Sequence, residues 1–352
     1  MLTPPVKHCS VLRTLPLLLA LTPLAGCYLL QAAQGQLALN ARRVPVARLL
    51  AAPETPPRLR SELELAARLR EFASRELGLP DNNSYRSYVD LGRPYVVWNV
   101  YAAGEFSVEP LRWCFPVAGC VAYRGYFREQ RARRFAHRLE IRGEDVWVSG
   151  VPAYSTLGHF ADPLLSSMLG WDESELAGLM FHELAHQLLY VAGDTAFNEA
   201  FATVVETAGV RRWFAAAGRD AVLAEFKQRA ARAEEVGSLV GAARGRLRQL
   251  YAAPLPASEK RRLKAAEFER LRGEYAALEQ RWGSGGGYAA LFDRGLNNAR
   301  LLAFATYHDC VPGLERELAA VGEQLPEFYA AMRRLATPAA RAQRQALCAP
   351  AG

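Results

Sequence analysis

Three residues of the segment HELAH, His182, Glu183 and His186, could carry chemistry. Histidines four apart on an α-helix leave from one face, one turn apart, so two imidazole nitrogens can reach a single ion. Zn2+ is the metal this donor pair suits. Glu183 leaves the helix about 100° around from His182. There it can meet water at the ion without taking a ligand position. That is the layout for hydrolysis of a peptide bond with Glu183 as general base. A third ligand is required, and Glu199, preceded by Asn198, is placed to supply it. Glu206 follows seven residues later on the same helical face. Two readings of it stand side by side: an ion pair with Arg211 or Arg212, or a contact that supports the ligands.

Two helices must position these groups. The stretch WDESELAGLMFHELAHQLLYVAG (171–193) reads as one helix. Asp172 can cap it with Glu175 as capping-box partner, and Gly193 can close it. DTAFNEAFATVVETAGVRRWF (194–214) reads as the next, with Asp194 as its cap. The link between them is so short that the two must run antiparallel as neighbours. Glu199 then falls in the first two turns, opposite His186.

HELAHQ followed by NEAFATVVE resembles the bacterial "putative aminopeptidase" family of zinc-dependent envelope lipoproteins, as do CYLLQAAQGQL, WCFPVAGCVAYRGYF, AYSTLGHFADPLL and NNARLLAFATYHDCVP. Together these stretches span most of the chain. The resemblance implies a zincin-like, gluzincin-type metallopeptidase with Zn2+ on His182, His186 and Glu199 and with catalytic Glu183. In gluzincins an acidic residue often stands four after the ligand glutamate; here that position is Thr203, which leaves Glu206 as the substitute. The chain lacks the G-x-M-E-N element by which one large aminopeptidase group reads a free amine, so endo- and exopeptidase modes both stay open. Zincins add a peptide substrate to an edge strand ahead of the active helix. Tyr154, Ser155, Thr156, Leu157 and Gly158 are the candidates for that edge, with a plain loop as the alternative, and His159 reads as structural. An oxyanion-stabilising donor is expected from the C-terminal helices, with Tyr307 chosen ahead of His308.

The N-terminus carries an address. Lys7 and Arg13 precede an apolar run from Leu15 to Leu24, broken by Pro16 and Pro23. It is short for a bilayer span and suits a signal peptide. The run ends in Leu24-Ala25-Gly26-Cys27, which resembles a lipobox, so lipid on Cys27 and a mature chain starting there are expected. Tyr28 stands where an inner-membrane retention aspartate is common. The expected location is therefore the outer membrane, facing the periplasm. Six cysteines are present. With Cys9 in the signal and Cys27 lipidated, Cys114, Cys120, Cys310 and Cys348 remain, an even set that an oxidising compartment favours as disulfides. Cys114 with Cys120 would close a small loop, and Cys310 with Cys348 would pin the C-terminus. The formal charge is +7, yet no nucleic-acid motif accompanies it, and export argues against such a partner.

The chain is 51% hydrophobic over 352 residues, ample for a packed core. After the signal (1–26) come N-terminal helices at 28–44 and 58–77 within 27–80. A strand-rich lobe (81–170) follows, with aromatic and β-branched runs from about 85 to 151. A helical zinc-binding lobe (171–340) contains long charged helices at 219–252 and 258–282 around Pro254 and Pro256. It also contains a glycine loop at 283–287 and further helix from 296 to 336. A loose tail (341–352) ends the chain. The fold class is α+β, a small strand-rich lobe on a mainly helical one. The expected function is peptide hydrolysis in the cell envelope, with a peptide substrate and a membrane partner through the lipid. Two rivals are a catalytically idle lipoprotein with a structural metal site and a metal-dependent amidase acting on cell-wall peptides. A closed fourth ligand would mark the first of these, and none is apparent nearby.

Overall fold

A computed structural model describes residues 23–115, 119–153, 156, 159–283, 287–293, 295–308 and 310–348, with backbone alone for 23–27 and 306–308. The chain divides into two compact units, up to Arg42 and from Arg43 onward. The first contains α1 (Pro23–Asn40), which begins earlier and ends sooner than the periodicity suggests. Leu29, Leu30 and Leu37 are exposed on it.

The second unit is mixed α+β. It opens with β1 (Val44–Pro45), α2 (Val46–Ala51) and α3 (Pro57–Arg75). The strand-rich segment then supplies β2 (Ser87–Val89), β3 (Val97–Ala103), β4 (Trp113–Phe115), β5 (Gly119–Val121) and β6 (Tyr123–Tyr126). A helix, α4 (Glu129–Glu140), interrupts it before β7 (Asp145–Val151) and β8 (Leu164–Leu165). The charged sequence EQRARRFAHRLE hides this helix. Ala132, Ala136 and Leu139, at helical spacing, are its fully buried residues, and Phe135 packs on Trp113 and Tyr126. The main sheet has the order β6-β3-β7, antiparallel throughout, and every residue of β3 is buried. That accounts for the mostly apolar sequence VWNVYAA. A second small sheet joins β1, β2 and β8, and β4 pairs with β5. In that hairpin Cys114 lies opposite Cys120 and the two are disulfide-bonded.

The helical part consists of α5 (Glu173–Leu188), α6 (Thr195–Ala216), α7 (Asp220–Ala252), α8 (Ala257–Trp282), α9 (Asn298–His308), α10 (Val311–Ala320), α11 (Leu325–Leu335) and α12 (Arg341–Leu347). α7 and α8 form the expected hairpin. Val240, Leu247, Phe268 and Leu271 lie between them in a core shared with Phe292 and Leu301. The stretch read as a tail instead contains α12. A disulfide from Cys348 to Cys310 secures it, and so does buried Arg344, whose Nε donates to Asp194 at 2.7 Å. Its short length and polar sequence gave no periodic signal. α5 packs on α6 around Phe181, Leu184, Phe197 and Phe201, all at most 1% exposed. Each such side chain contributes about 1.5–3 kcal/mol by leaving water. The pair that must carry the site is thus set in the best-buried part of the chain.

Candidate metal centre

α5 starts as its sequence dictates. Asp172 Oδ1 accepts from the Glu175 backbone N–H at 2.9 Å, and Glu175 returns the contact to the Asp172 N–H at 3.2 Å. The helix ends at Leu188, five residues before Gly193, which takes φ +80° in the turn leading to α6. Asp194 occupies the N-cap position of α6 but makes no cap hydrogen bond, because its carboxylate is turned to Arg344. The turn is held instead by Asn198. Its Oδ1 accepts from the Val191 N–H and its Nδ2 donates to the Val191 carbonyl, both at 2.8 Å.

This arrangement brings His182, His186 and Glu199 together. His186 Nε2 stands 3.2 Å from His182 Nε2, and Glu199 Oε2 lies 3.3 Å from His182 Nε2 and 3.6 Å from His186 Nε2. Among the described residues they form a group of side chains placed to hold a cation, and all three are buried. Donors each about 2.0–2.2 Å from a tetrahedral zinc stand roughly 3.3–3.5 Å apart. The three donors therefore match three corners of such a site.

Glu206 sits behind them. Its Oε2 lies 3.0 Å from His182 Nδ1, and neither Arg211 nor Arg212 pairs with it among the described residues. A proton on His182 Nδ1, donated to this carboxylate, leaves Nε2 with its lone pair facing Glu199 and His186. Gly178, one turn before His182, makes room for this. A Cβ there would stand 2.9 Å from Glu206 Oε1. His186 Nδ1 is buried and has no such support among the described residues.

The electrostatics call for positive charge at this point. Burial alone would discharge His182, but hydrogen bonds and charge from Glu199 and Glu206 outweigh it and hold its pKa well above the ordinary imidazole value. Burial also opposes the charge on Glu199, yet His186 and His182 prevail and bring its pKa down to about 2. Glu183 is 8% exposed and makes no hydrogen bond to a described residue. Burial raises its pKa, the two histidines pull against that, and Glu199 and Asp162 add to it. A carboxylate so placed is a ready proton acceptor.

Gln187, next to His186, ties the helix to the loop before it. Its Nε2 donates to Asp162 Oδ2 at 3.1 Å and to Ser84 Oγ at 3.2 Å, and its Oε1 accepts from Asn82 Nδ2 at 2.7 Å. Buried Asp162 in turn accepts from the Thr156 hydroxyl at 2.7 Å and the Thr156 N–H at 3.0 Å. Thr156 lies in no strand. Its hydroxyl closes a turn with Phe160. Tyr154, Ser155, Leu157 and Gly158 lie outside the described residues, as do the side chains of Tyr307, His308 and Cys27. His159 is exposed.

Two phenols were missed by the sequence reading. Tyr123 on β6 is within electrostatic reach of Glu199 and Glu183, and Tyr190, just after α5, of Glu199. Burial raises both pKa values, so each stays a protonated donor. Tyr123 reaches the site from the hairpin side, where Arg112 Nη2 donates to the carbonyls of Cys120 and Gly193 at 3.2 and 2.7 Å. Only strand pairing brings β6 here, and nothing local in YRGY announces it.

Residues 27–347 match the family described as "Putative aminopeptidase", and the chain belongs to that family. No curated protein and no solved structure matches it.

Proposed function

We propose that this member of the aminopeptidase family is a zinc-dependent peptidase of zincin-like fold that hydrolyses peptide bonds in the cell envelope. His182, His186 and Glu199 would hold the ion. The observation that supports this most is the triangle of donor atoms, 3.2, 3.3 and 3.6 Å on its edges, with a carboxylate behind one histidine and a second, unligated glutamate beside it. Three protein donors, with no fourth acidic or imidazole group in the cluster among the described residues, leave a corner open, which is the pattern of catalytic rather than structural zinc.

A bound zinc ion supplies Lewis acidity to a water molecule and to the scissile carbonyl. The chain's residues do the rest. Glu206 keeps the proton of His182 on Nδ1, so Nε2 stays a donor. The Glu183 carboxylate accepts the proton of the attacking water and hands it to the leaving amine nitrogen. Burial raises its pKa, which favours the first transfer. Tyr123 is a second candidate, with Tyr307, for the donor that steadies the oxyanion. The family's description favours release of N-terminal residues over internal cleavage.

The test uses elemental analysis together with a peptide library bearing free and blocked N-termini. About one zinc per chain is expected, removable by chelator. Glu183→Gln should keep the metal and lose hydrolysis by roughly a hundredfold or more, while Glu199→Ala should lose the metal itself. Parent protein that binds no divalent metal, or a Glu183→Gln variant as fast as the parent, would overturn the reading.

A further inference from the structure

Some charged helices of this chain neutralise themselves. On α8, Arg262, Arg270 and Arg272 pair with Glu259, Glu274 and Glu269. α4 and its flanks do not. Residues 128–142 hold six arginines against two glutamates. Glu129 is taken by Arg133, and Glu140 lies against His137. Arg128, Arg134, Arg138 and Arg142 are exposed and have no carboxylate partner among the described residues. Arg134 and Arg138 lie one turn apart on the face of α4 opposite its buried residues, and Arg142 follows in the turn just past the helix. Ile141 emerges just before Arg142, 73% exposed, the most exposed large apolar side chain described. The opposite face is anchored by Ala132, Ala136 and Leu139, so Arg134 and Arg138 cannot rotate inward.

A solvated basic helix needs no isoleucine at its rim. Unpaired arginines with an apolar residue beside them fit an anionic bilayer surface. Guanidinium groups meet lipid phosphates while a short side chain enters between head groups. A nucleic acid would use the charge and leave Ile141 idle. We infer that the outer face of α4 with its two flanks, Arg134 and Arg138 on the helix, Arg128 before it and Ile141 and Arg142 after it, is a docking surface for anionic phospholipid. This does not depend on the peptidase reading or on lipidation of Cys27.

The test is vesicle co-sedimentation with unlipidated chain beginning at Tyr28, which retains the whole second unit. Vesicles containing phosphatidylglycerol should bind it and pure phosphatidylcholine should not, and binding should weaken as salt rises. Changing the four α4 arginines to Gln should weaken binding about tenfold or more. The same loss of charge at Arg316, Arg333, Arg334 and Arg341, also exposed and without carboxylate partners among the described residues, should leave it unchanged. Ile141→Asp, at an exposed site that cannot disturb the fold, should weaken it too. Equal binding to neutral vesicles overturns the inference, and so does equal loss in the control set. So does an Ile141→Asp chain that binds like the parent and prefers a single-stranded oligonucleotide.

Discussion

His182 is held from two sides, by Glu199 at Nε2 and Glu206 at Nδ1. The spacing of HELAH and Glu199 was readable because a helix repeats every 3.6 residues, and both ligand pairs are local or one turn of chain apart. Glu206 was readable only to its face. Whether it turned to His182 or to Arg211 and Arg212 depended on how closely α5 and α6 approach. Gly178 leaves room for the Glu206 side chain, a role that its place inside a helical pattern does not announce. It yields a prediction in which stability and function move apart. Gly178→Ala adds helix propensity worth roughly 1 kcal/mol on α5, but its Cβ would meet Glu206, 2.9 Å away at Oε1. The displaced carboxylate no longer fixes His182. Zinc affinity, read by chelator competition, should fall about 10- to 100-fold while the melting temperature holds or rises. An unchanged affinity would mean that Glu206 does not support the ligand.

At the scale of elements, what was legible had a period and what was not had none. The α5 capping box and the α7–α8 hairpin follow from sequence patterns that a helix cannot avoid. α4 was lost because its buried apolar stripe is narrow and α12 because it is short and polar, and the Asp194 cap failed because a residue 150 positions later takes its carboxylate. The cap of α5 permits a direct test. Asp172 is brought to a pKa of about 2: burial opposes its charge, and hydrogen bonds from Ser174, Arg229 and the Glu175 N–H outweigh that. The folded value is below the ordinary one of 3.8. Its contribution is therefore fully present above that ordinary value and disappears as pH falls toward 2. Asp172→Ala should cost about 1 kcal/mol at neutral pH, measured by denaturant unfolding. The difference from the parent should shrink steadily below pH 3.8. A difference that stays constant down to acid pH would show that the side chain acts by packing and not by charge.

For the whole molecule, the proposed chemistry needs an address, and the chain offers one at Leu24-Ala25-Gly26-Cys27. No described helix is long and apolar enough to cross a membrane. Attachment would then rest on lipid at Cys27, with the α4 face as a weaker second contact. One acyl chain holds a protein only marginally, and two hold it stably. Diacylglycerol on Cys27 should therefore keep the protein in the membrane fraction through high-salt washing, which would release a purely electrostatic contact. Cys27→Ser removes the thiol that carries the lipid and should either free the chain or leave it with its signal uncleaved. The four-arginine variant of α4 should stay in the membrane fraction, because the lipid alone suffices. Mass spectrometry of the N-terminal peptide reads the modification directly. Parent protein recovered in the soluble fraction, with an unmodified N-terminal peptide, would refute the lipid anchor while leaving the metal centre untouched. The proposed metal-binding residues begin more than 150 residues after Cys27 in a unit that starts at Arg43.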